Sequence, residues 1–566
     1  MDEHTQSSTY DASPESPITR RAVIRDGLRL GLSLPTIAAL LSACGGSSTA
    51  STATSASASS TGVSGAPPTT AGVPVGGSPA PLATSASGTG ASGSKITIGL
   101  TYDVTTLDAT LQYDAQTINV YGNIYDTLLR KDNNLTIQPH LAESYRSVDN
   151  LTWEFKLRKG VKFHNGDEFT GDDVKFTIDR VLDPQVASPQ FSNISAYDHV
   201  EVIDPYTVHI VTKQPFPIVP VTLCNLRIVP AKYFTAKGAA FVATNPVGTG
   251  PYKFMEWAKG DHVTLQANPD YWKGAPQIKT AVFQVIPEDA TRIAGLKTKN
   301  ADLILAVPAI SEADLQRGPD TTIAKTLIER ISWIELQALP TSGRPTSKVE
   351  VRQAIAYALD RDALIKGLLL GEGQKVATML TPKHAGYSPD IPGYEFDLNK
   401  AKSLLTAAGY PNGVDLEFLV GTGGQNKEFA EAIGGQLTKA GMRTKVNIVD
   451  SVLPGWQKHN FGDMILGTWT SNTFDADGTL YPLFHSGTVW ANYNNPKMDP
   501  LLDQARSTLD GSQRQSFYKQ ALQMLHDDMP GVPLWQQTAI YGLSKRLQWQ
   551  PRPDQELFLV DMSLTG

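Results

Sequence analysis

The chain is poor in cysteine, with only Cys44 and Cys224 among 566 residues. No disulfide framework can hold it together, so stability has to come from a buried core, as in a large α/β body. It also lacks an apolar run long enough to span a membrane. The stretch from Leu28 to Leu41 is interrupted by Gly31 and Pro35 and falls short of the roughly 20 residues a bilayer crossing needs. Basic runs are absent and the formal net charge is −7, which argues against nucleic acid as a partner. There is no His-Glu-x-x-His, Gly-x-Ser-x-Gly, Cys-x-x-Cys or Gly-Lys-Ser/Thr. Those are the arrangements that bind zinc, present a serine nucleophile, exchange thiols or cradle phosphate. The ten histidines include no i,i+4 pair, so neither a metal site nor a cofactor is expected.

What is present begins at the N-terminus. Arg20-Arg21 precedes the interrupted apolar stretch, which ends at Leu41-Ser42-Ala43-Cys44. A short apolar core behind a basic segment reads as an export signal. The paired arginines resemble a Tat signal, with Sec export as the alternative. Leu-Ser-Ala-Cys has the form of a bacterial lipobox, so residues 1–43 are expected to be removed and Cys44 to carry a lipid anchor. Gly45–Ser94 contains only Ser, Thr, Ala, Gly, Pro, Val and Leu82. Such a segment cannot bury enough apolar surface to offset chain entropy. Residues 44–94 are therefore expected to act as a flexible leash with a mean span of about 40 Å, and the protein to be extracytoplasmic and lipid-anchored.

The body from Lys95 onward is too long for one ordinary core, so two or three lobes are expected. Lys95–Leu100 alternates as a strand, and Trp153, Phe155 and Leu157 share one face of another. A hairpin-like segment turns at Asn165-Gly166. Thr170 can cap the next helix, with Asp172 and Asp173 in its positive first turn rather than forming a catalytic pair. Strands follow near Thr207–Thr212, His262–Ala267 and Ala281–Ile286, and Pro246–Lys253 reads as a rigid Gly/Pro turn. Ser347 and Asp397 are the expected caps of two further helices. Cys224 lies in an apolar setting that suits a buried structural thiol.

Between Asp415 and Trp469 the pattern reads strand–helix–strand–helix–strand, hence a parallel sheet. Ligands of such sheets bind beyond the carboxyl ends of the strands, which selects the loops Gly421–Asn426 and Thr470–Asp477. Trp456, Trp469, Tyr481, Phe484 and Trp490 crowd this region. One or two of them are expected to wall a pocket and the rest to be core. Asp475 and Asp477 could be read as an acid/base pair, though only their proximity supports that. The strand Leu543–Trp549 is expected near the end.

Three segments taken together and in order carry a resemblance. The first runs from Pro139-His-Leu-Ala-Glu-Ser-Tyr through Trp153–Gly166 to Asp172–Arg180. The second is Pro246-Val-Gly-Thr-Gly-Pro-Tyr-Lys-Phe with Asn268-Pro-Asp-Tyr-Trp. The third is Val351–Arg361 with Ala401–Pro411. The body is similar to the dipeptide/oligopeptide/nickel-binding family of ABC-transporter solute-binding proteins, from about Ile96 to the C-terminus. The resemblance implies an α/β, periplasmic-binding-protein-like fold of type II with three lobes and a hinged ligand cleft between the two large ones. Lobe I would comprise 95–130, 200–331 and 535–566; lobe II, 131–199; and lobe III, 332–534.

The resemblance further implies a monomeric receptor, not an enzyme, that hands a small-molecule or peptide ligand to ABC permease subunits. The ligand-binding candidates are Trp469, Thr470, Asn472, Asp475, Gly423 and Gln425. In peptide-binding members an aspartate pairs with the ligand's ammonium group, and Asn472 stands in its place here. An unpaired buried ammonium costs several kcal/mol by order of magnitude. Either Asp475 swings in, or the ligand is not a free-amine peptide. Peptide leads as a single class, beside sugars, opines and modified peptides, while nickel lacks a histidine cluster. An exported hydrolase and a signalling or adhesion lipoprotein of the same fold are the alternatives.

Overall fold

The computed structural model describes residues 94–111, 114–424 and 426–565. The export signal, Cys44, the leash and Gln425 lie outside them. Its organising feature is one eleven-stranded sheet with two wings joined by two long strands, Thr321–Leu336 and Gly531–Ser544.

In the first wing, Lys95–Leu100 pairs in parallel with Thr280–Val285, and the antiparallel strands His262–Ala267 and Tyr252–Ala258 extend it outward. Ile96, Ile98, Leu265 and Phe283 are fully buried in its core. The Gly/Pro turn expected at Pro246–Lys253 has a steric cause. A Cβ on Gly248 would stand 2.1 Å from the Ile124 carbonyl oxygen, and one on Gly250 would stand 2.6 Å from it. Both positions therefore require glycine, so that two backbones can touch.

The second wing holds the expected β-α-β-α-β unit. Val414–Gly421 runs parallel to both Met442–Val449 and Met464–Thr470, with the helices Asn426–Lys439 and Leu453–Gln457 as crossovers. Met464–Thr470 also pairs antiparallel with Thr321–Leu336, so the sheet is mixed rather than parallel. Asp397 caps its helix as expected, accepting from the Lys400 amide at 2.9 Å. Ser347 does not cap: its hydroxyl turns back to the Arg344 carbonyl, and Lys348 holds the cap position of Val349–Tyr357. The apolar stripe Val351, Ala354, Ile355, Ala358 and Leu359 is nonetheless buried.

A separate four-stranded antiparallel sheet, in the order Ala142–Ser147, Thr152–Leu157, Thr207–Thr212, Tyr197–Asp204, has its own core around Phe155, Phe169, Ile178 and Ile210. Asp173 accepts from the Thr170 and Ala231 amides, both at 2.9 Å, which is a capping role. Cys224 is buried beneath this sheet, and burial pushes its thiol up to about 12. Such a thiol is not reactive at neutral pH.

The long strands do not pair without interruption. Thr321–Leu327 matches Ser544–Thr538 and Ile331 matches Gln536, so Ile328, Glu329 and Arg330 stand opposite the single residue Gln537; a second shift follows, Ser332 matching Trp535 and Trp333 matching Pro533, which leaves Leu534 as an extra residue of the partner strand. The bulge at Ile328–Arg330 bends the strands where the wings meet and re-aims the side chains on it. The expected strand at Leu543–Trp549 is the tail of Gly531–Ser544 followed by the short strand Leu547–Gln548. Among the described residues, no helix is long and apolar enough to cross a membrane.

Candidate functional site

Three cavities follow the two long strands. One of about 270 Å³ lies between the helix Ala115–Tyr121, the segment 553–556, the bulge and the loop after Met464–Thr470. A second, of about 710 Å³, continues from it and shares Tyr102, Ala115, Asn119, Arg330 and Gln555 with the first. Its walls are mainly apolar, including Leu305, Val307, Ile328, Leu369, Ile540 and Tyr541. A third, of about 400 Å³, shares Leu369, Glu372 and Thr538 with the second and reaches Asn426 and Phe429.

Backbone strain collects around the first two. Nine non-glycine residues among those described have a positive φ, and four of them line these cavities: Ala306, Leu370, Phe474 and Gln555. A left-handed backbone costs of order 1–3 kcal/mol per residue and persists where the surroundings impose it, commonly at ligand sites. The strand bulge and this strain therefore mark the same place.

Of the residues selected from sequence, Thr470 and Asn472 line the first cavity. Thr470 ends its strand, and its Oγ1 accepts from Arg330 Nε at 3.0 Å. Asn472 is exposed, and its backbone carbonyl oxygen accepts from Lys131 Nζ and Asn225 Nδ2, both at 3.0 Å. Lys131 also sits 4.6 Å from the centroid of the Phe474 ring. These contacts tie the loop of the second wing to residues from the four-stranded sheet region.

Asp475 does not reach the cavities. It is 5% exposed, and both its carboxylate oxygens accept from Arg514, at 2.6 and 2.7 Å. Burial works against the Arg514 charge, but the carboxylate overrides it and raises the guanidinium above its ordinary value. Asp475 thus anchors the loop instead of swinging inward. Asp477 is likewise buried against Arg506 at 3.1 Å, and burial raises its carboxyl above the usual carboxylate range. With each acid held by its own arginine, the pair is not set up for proton transfer.

Trp469 turns away from the cavities. Its ring packs edge-on to Trp456 and Trp490, with centroids 6.4 Å from each, and Nε1 donates to the Gly478 carbonyl at 3.1 Å. The aromatic crowd is core, reaching Trp333 and Phe484. Gly423 is exposed and lines none of the three cavities; its loop reaches the third through Asn426. The residues that sequence reasoning missed are Tyr102, Lys131, Asn225, Arg227, Glu329 and Arg330. A signal for two of them was available: the adjacent charges Glu329-Arg330 fall between the apolar residues Leu327-Ile328 and Ile331.

Several of the charges lining the cavities are neutralised pairwise. Glu556 meets Arg227 at 2.6 Å, Asp554 meets Arg552 at 2.6 Å and Glu372 meets Lys325 at 2.9 Å. Glu329 points away, toward Thr381, His384 at 3.2 Å and Gln536 at 3.2 Å. Asp114 accepts from the Thr117 amide at 2.9 Å and the Tyr102 hydroxyl at 3.0 Å. Among the described residues, no group of three or more His, Cys, Asp or Glu side chains could hold a metal ion.

Comparison with known proteins agrees with this geometry. The family model for bacterial extracellular solute-binding proteins, family 5 (middle), matches residues 136–490. A heme-binding protein A of Haemophilus influenzae is 30% identical over 476 residues, covering 77% of this chain and 85% of its own. A glutathione-binding protein GsiB of Shigella dysenteriae is 29% identical, covering 80% and 91%. The solved structure of AgaA from A. tumefaciens R10 in complex with agropinic acid superposes with a TM-score of 0.69 at 29% identity, covering 83% and 99%. The fold is α/β and periplasmic-binding-protein-like.

Proposed function

This chain belongs to the bacterial extracellular solute-binding proteins of family 5, and from that premise we propose a lipid-anchored receptor that delivers a small organic solute to an ABC permease. The observation that carries the reading is the coincidence of connected cavities, a bulge in both long strands and four strained residues at one place. Binding there lets the wings close on the solute by bending at the bulge, a hinge of the kind in which few residues absorb the motion. In this reading lobe I (95–130, 200–331, 535–566) and lobe III (332–534) flank the cleft, and lobe II (131–199) supports it.

Solute contacts come from Thr470, Asn472 and Arg330, while Asp475 acts only through the loop it anchors. In this reading the solute leaves as it entered, since among the described residues the acids lining the cavities are engaged by other protein groups. Peptides remain the first class to test, with modified peptides and opine-like acids next, because Asn472 brings no charge for an ammonium group. The anchor at Cys44 and the leash of residues 44–94 keep the receptor near its permease.

Thermal-shift screening of the full chain carrying Cys44→Ala tests the reading with peptide, sugar and organic-acid panels. A solute at 100 times its Kd stabilises by about 2.7 kcal/mol, a readily measured rise in Tm. No shift across all panels contradicts a receptor function.

A further inference from the structure

Arg330 sits on the bulge between the first two cavities and lines both. Among the described residues it is the only Lys or Arg lining the larger one. Its Nε donates to Thr470 Oγ1, and among the described residues no carboxylate lies within ion-pair distance of its guanidinium. The acids nearest in the lining are all directed elsewhere, including its own neighbour Glu329. The other two cations of the smaller cavity have partners in the protein, Arg227 on Glu556 and Lys131 on the Asn472 carbonyl. Burial works against the Arg330 charge, and no protein anion compensates it. Arg330 is half-buried, and a charge withdrawn from water in this way is disfavoured unless something pairs with it. The terminal nitrogens of a guanidinium present a fork that matches a carboxylate in bidentate fashion.

We infer that Arg330 is the anchor for an anionic group of the solute, a carboxylate in the first instance, and that the apolar cavity beside it takes an uncharged hydrophobic arm. The solute is thus an amphipathic organic anion with no free ammonium group, such as an amine-blocked peptide. This rests on the receptor reading and narrows it. Asn472 fits the same picture: at the position where an ammonium would be received, a neutral amide faces the smaller cavity.

Three probes on one dileucine core separate the charge states: N-acetyl-dileucine (anion), its near-isostere N-acetyl-dileucinamide (neutral) and dileucinamide (cation). Each is titrated by calorimetry into the full chain carrying Cys44→Ala, with and without Arg330→Met. The expected result is that the anion binds about 10- to 100-fold more tightly than the neutral amide, the range of a charge-assisted bidentate contact. Arg330→Met should erase that difference, the anion losing about 10- to 100-fold more affinity than the neutral amide. The unliganded Arg330→Met protein should be as stable as its parent or more so, because a half-buried charge without a protein anion is removed, as is typical of a binding residue kept at a cost in stability.

Equal binding of acid and amide, preference for the cation, or loss of stability in unliganded Arg330→Met would each overturn the assignment. Absence of binding by all three probes also overturns it for this class of anion, and the receptor reading is then judged separately by the wider thermal-shift panels. Arg443→Ala, which removes an exposed partner of Asp415 remote from the cavities, serves as the control for nonspecific charge effects.

Discussion

Asp475→Asn separates an anchoring role from a ligand-binding one. Asp475 is 5% exposed and Arg514 is 9% exposed, and the carboxylate receives two guanidinium hydrogen bonds at 2.6 and 2.7 Å. Arg514 is otherwise held by the Ala505 carbonyl at 2.9 Å and the Tyr518 hydroxyl at 2.8 Å, neither of which carries charge. Neutralising the acid leaves a buried guanidinium unpaired, which costs about 3–5 kcal/mol. In a body of this size the urea slope is at least about 3 kcal/mol/M, so the unfolding midpoint should fall by about 1 M. Trp456, Trp469 and Trp490 pack in the same core and report the transition by fluorescence. Asp475→Asn combined with Arg514→Met should recover most of the loss, since a buried pair replaced by apolar groups is often neutral. A midpoint unchanged by Asp475→Asn, with binding weakened instead, would refute the anchoring role.

Three further outcomes are expected. Gly248→Ala should destabilise by at least about 2 kcal/mol or abolish folding, because its Cβ would stand 2.1 Å from the Ile124 carbonyl oxygen; thermal melts check this. Burial lowers His140 and His164 from 6.5 to about 4, so in the native state both stay neutral at pH values where the unfolded chain is protonated. The unfolded state then binds more protons between about pH 4 and 6.5, and each histidine makes stability fall by about 1.4 kcal/mol per unit as pH drops through that window. Urea midpoints across the window should show a shallower slope for His164→Gln. Asn472→Asp should strengthen binding of free-amine peptides about tenfold or more while leaving amine-blocked ones no better off, measured by calorimetry.

Much of this was readable from local patterns. The β-α-β-α-β unit from Val414 to Thr470, the Asp397 cap and the strand Lys95–Leu100 follow from alternation, 3.6-residue spacing and capping chemistry, which neighbouring residues settle among themselves. The two long strands were not readable. Thr321–Leu336 is buried on both faces over its second half, so it shows no alternation, and its partner Gly531–Ser544 lies about two hundred residues away. The bulge at Ile328–Arg330 exists only as a mismatch between these distant segments, and with it the position of Arg330. For the same reason the loop Thr470–Asp477 could be located, but not the direction of each side chain. Asp475 met Arg514, and Trp469 met Trp456 and Trp490, through packing that no spacing rule encodes.

The central claim is that this chain captures a solute in the cleft at the bulge and releases it unaltered. Equilibrium dialysis of the full chain carrying Cys44→Ala with the best solute from the thermal-shift panels, followed by denaturation and mass analysis of what is recovered, tests it directly. One solute per chain is expected, chemically intact, with Arg330→Met weakening the binding of an anionic one about 10- to 100-fold. Recovery of a converted product, or binding that saturates at no defined ratio, would contradict it.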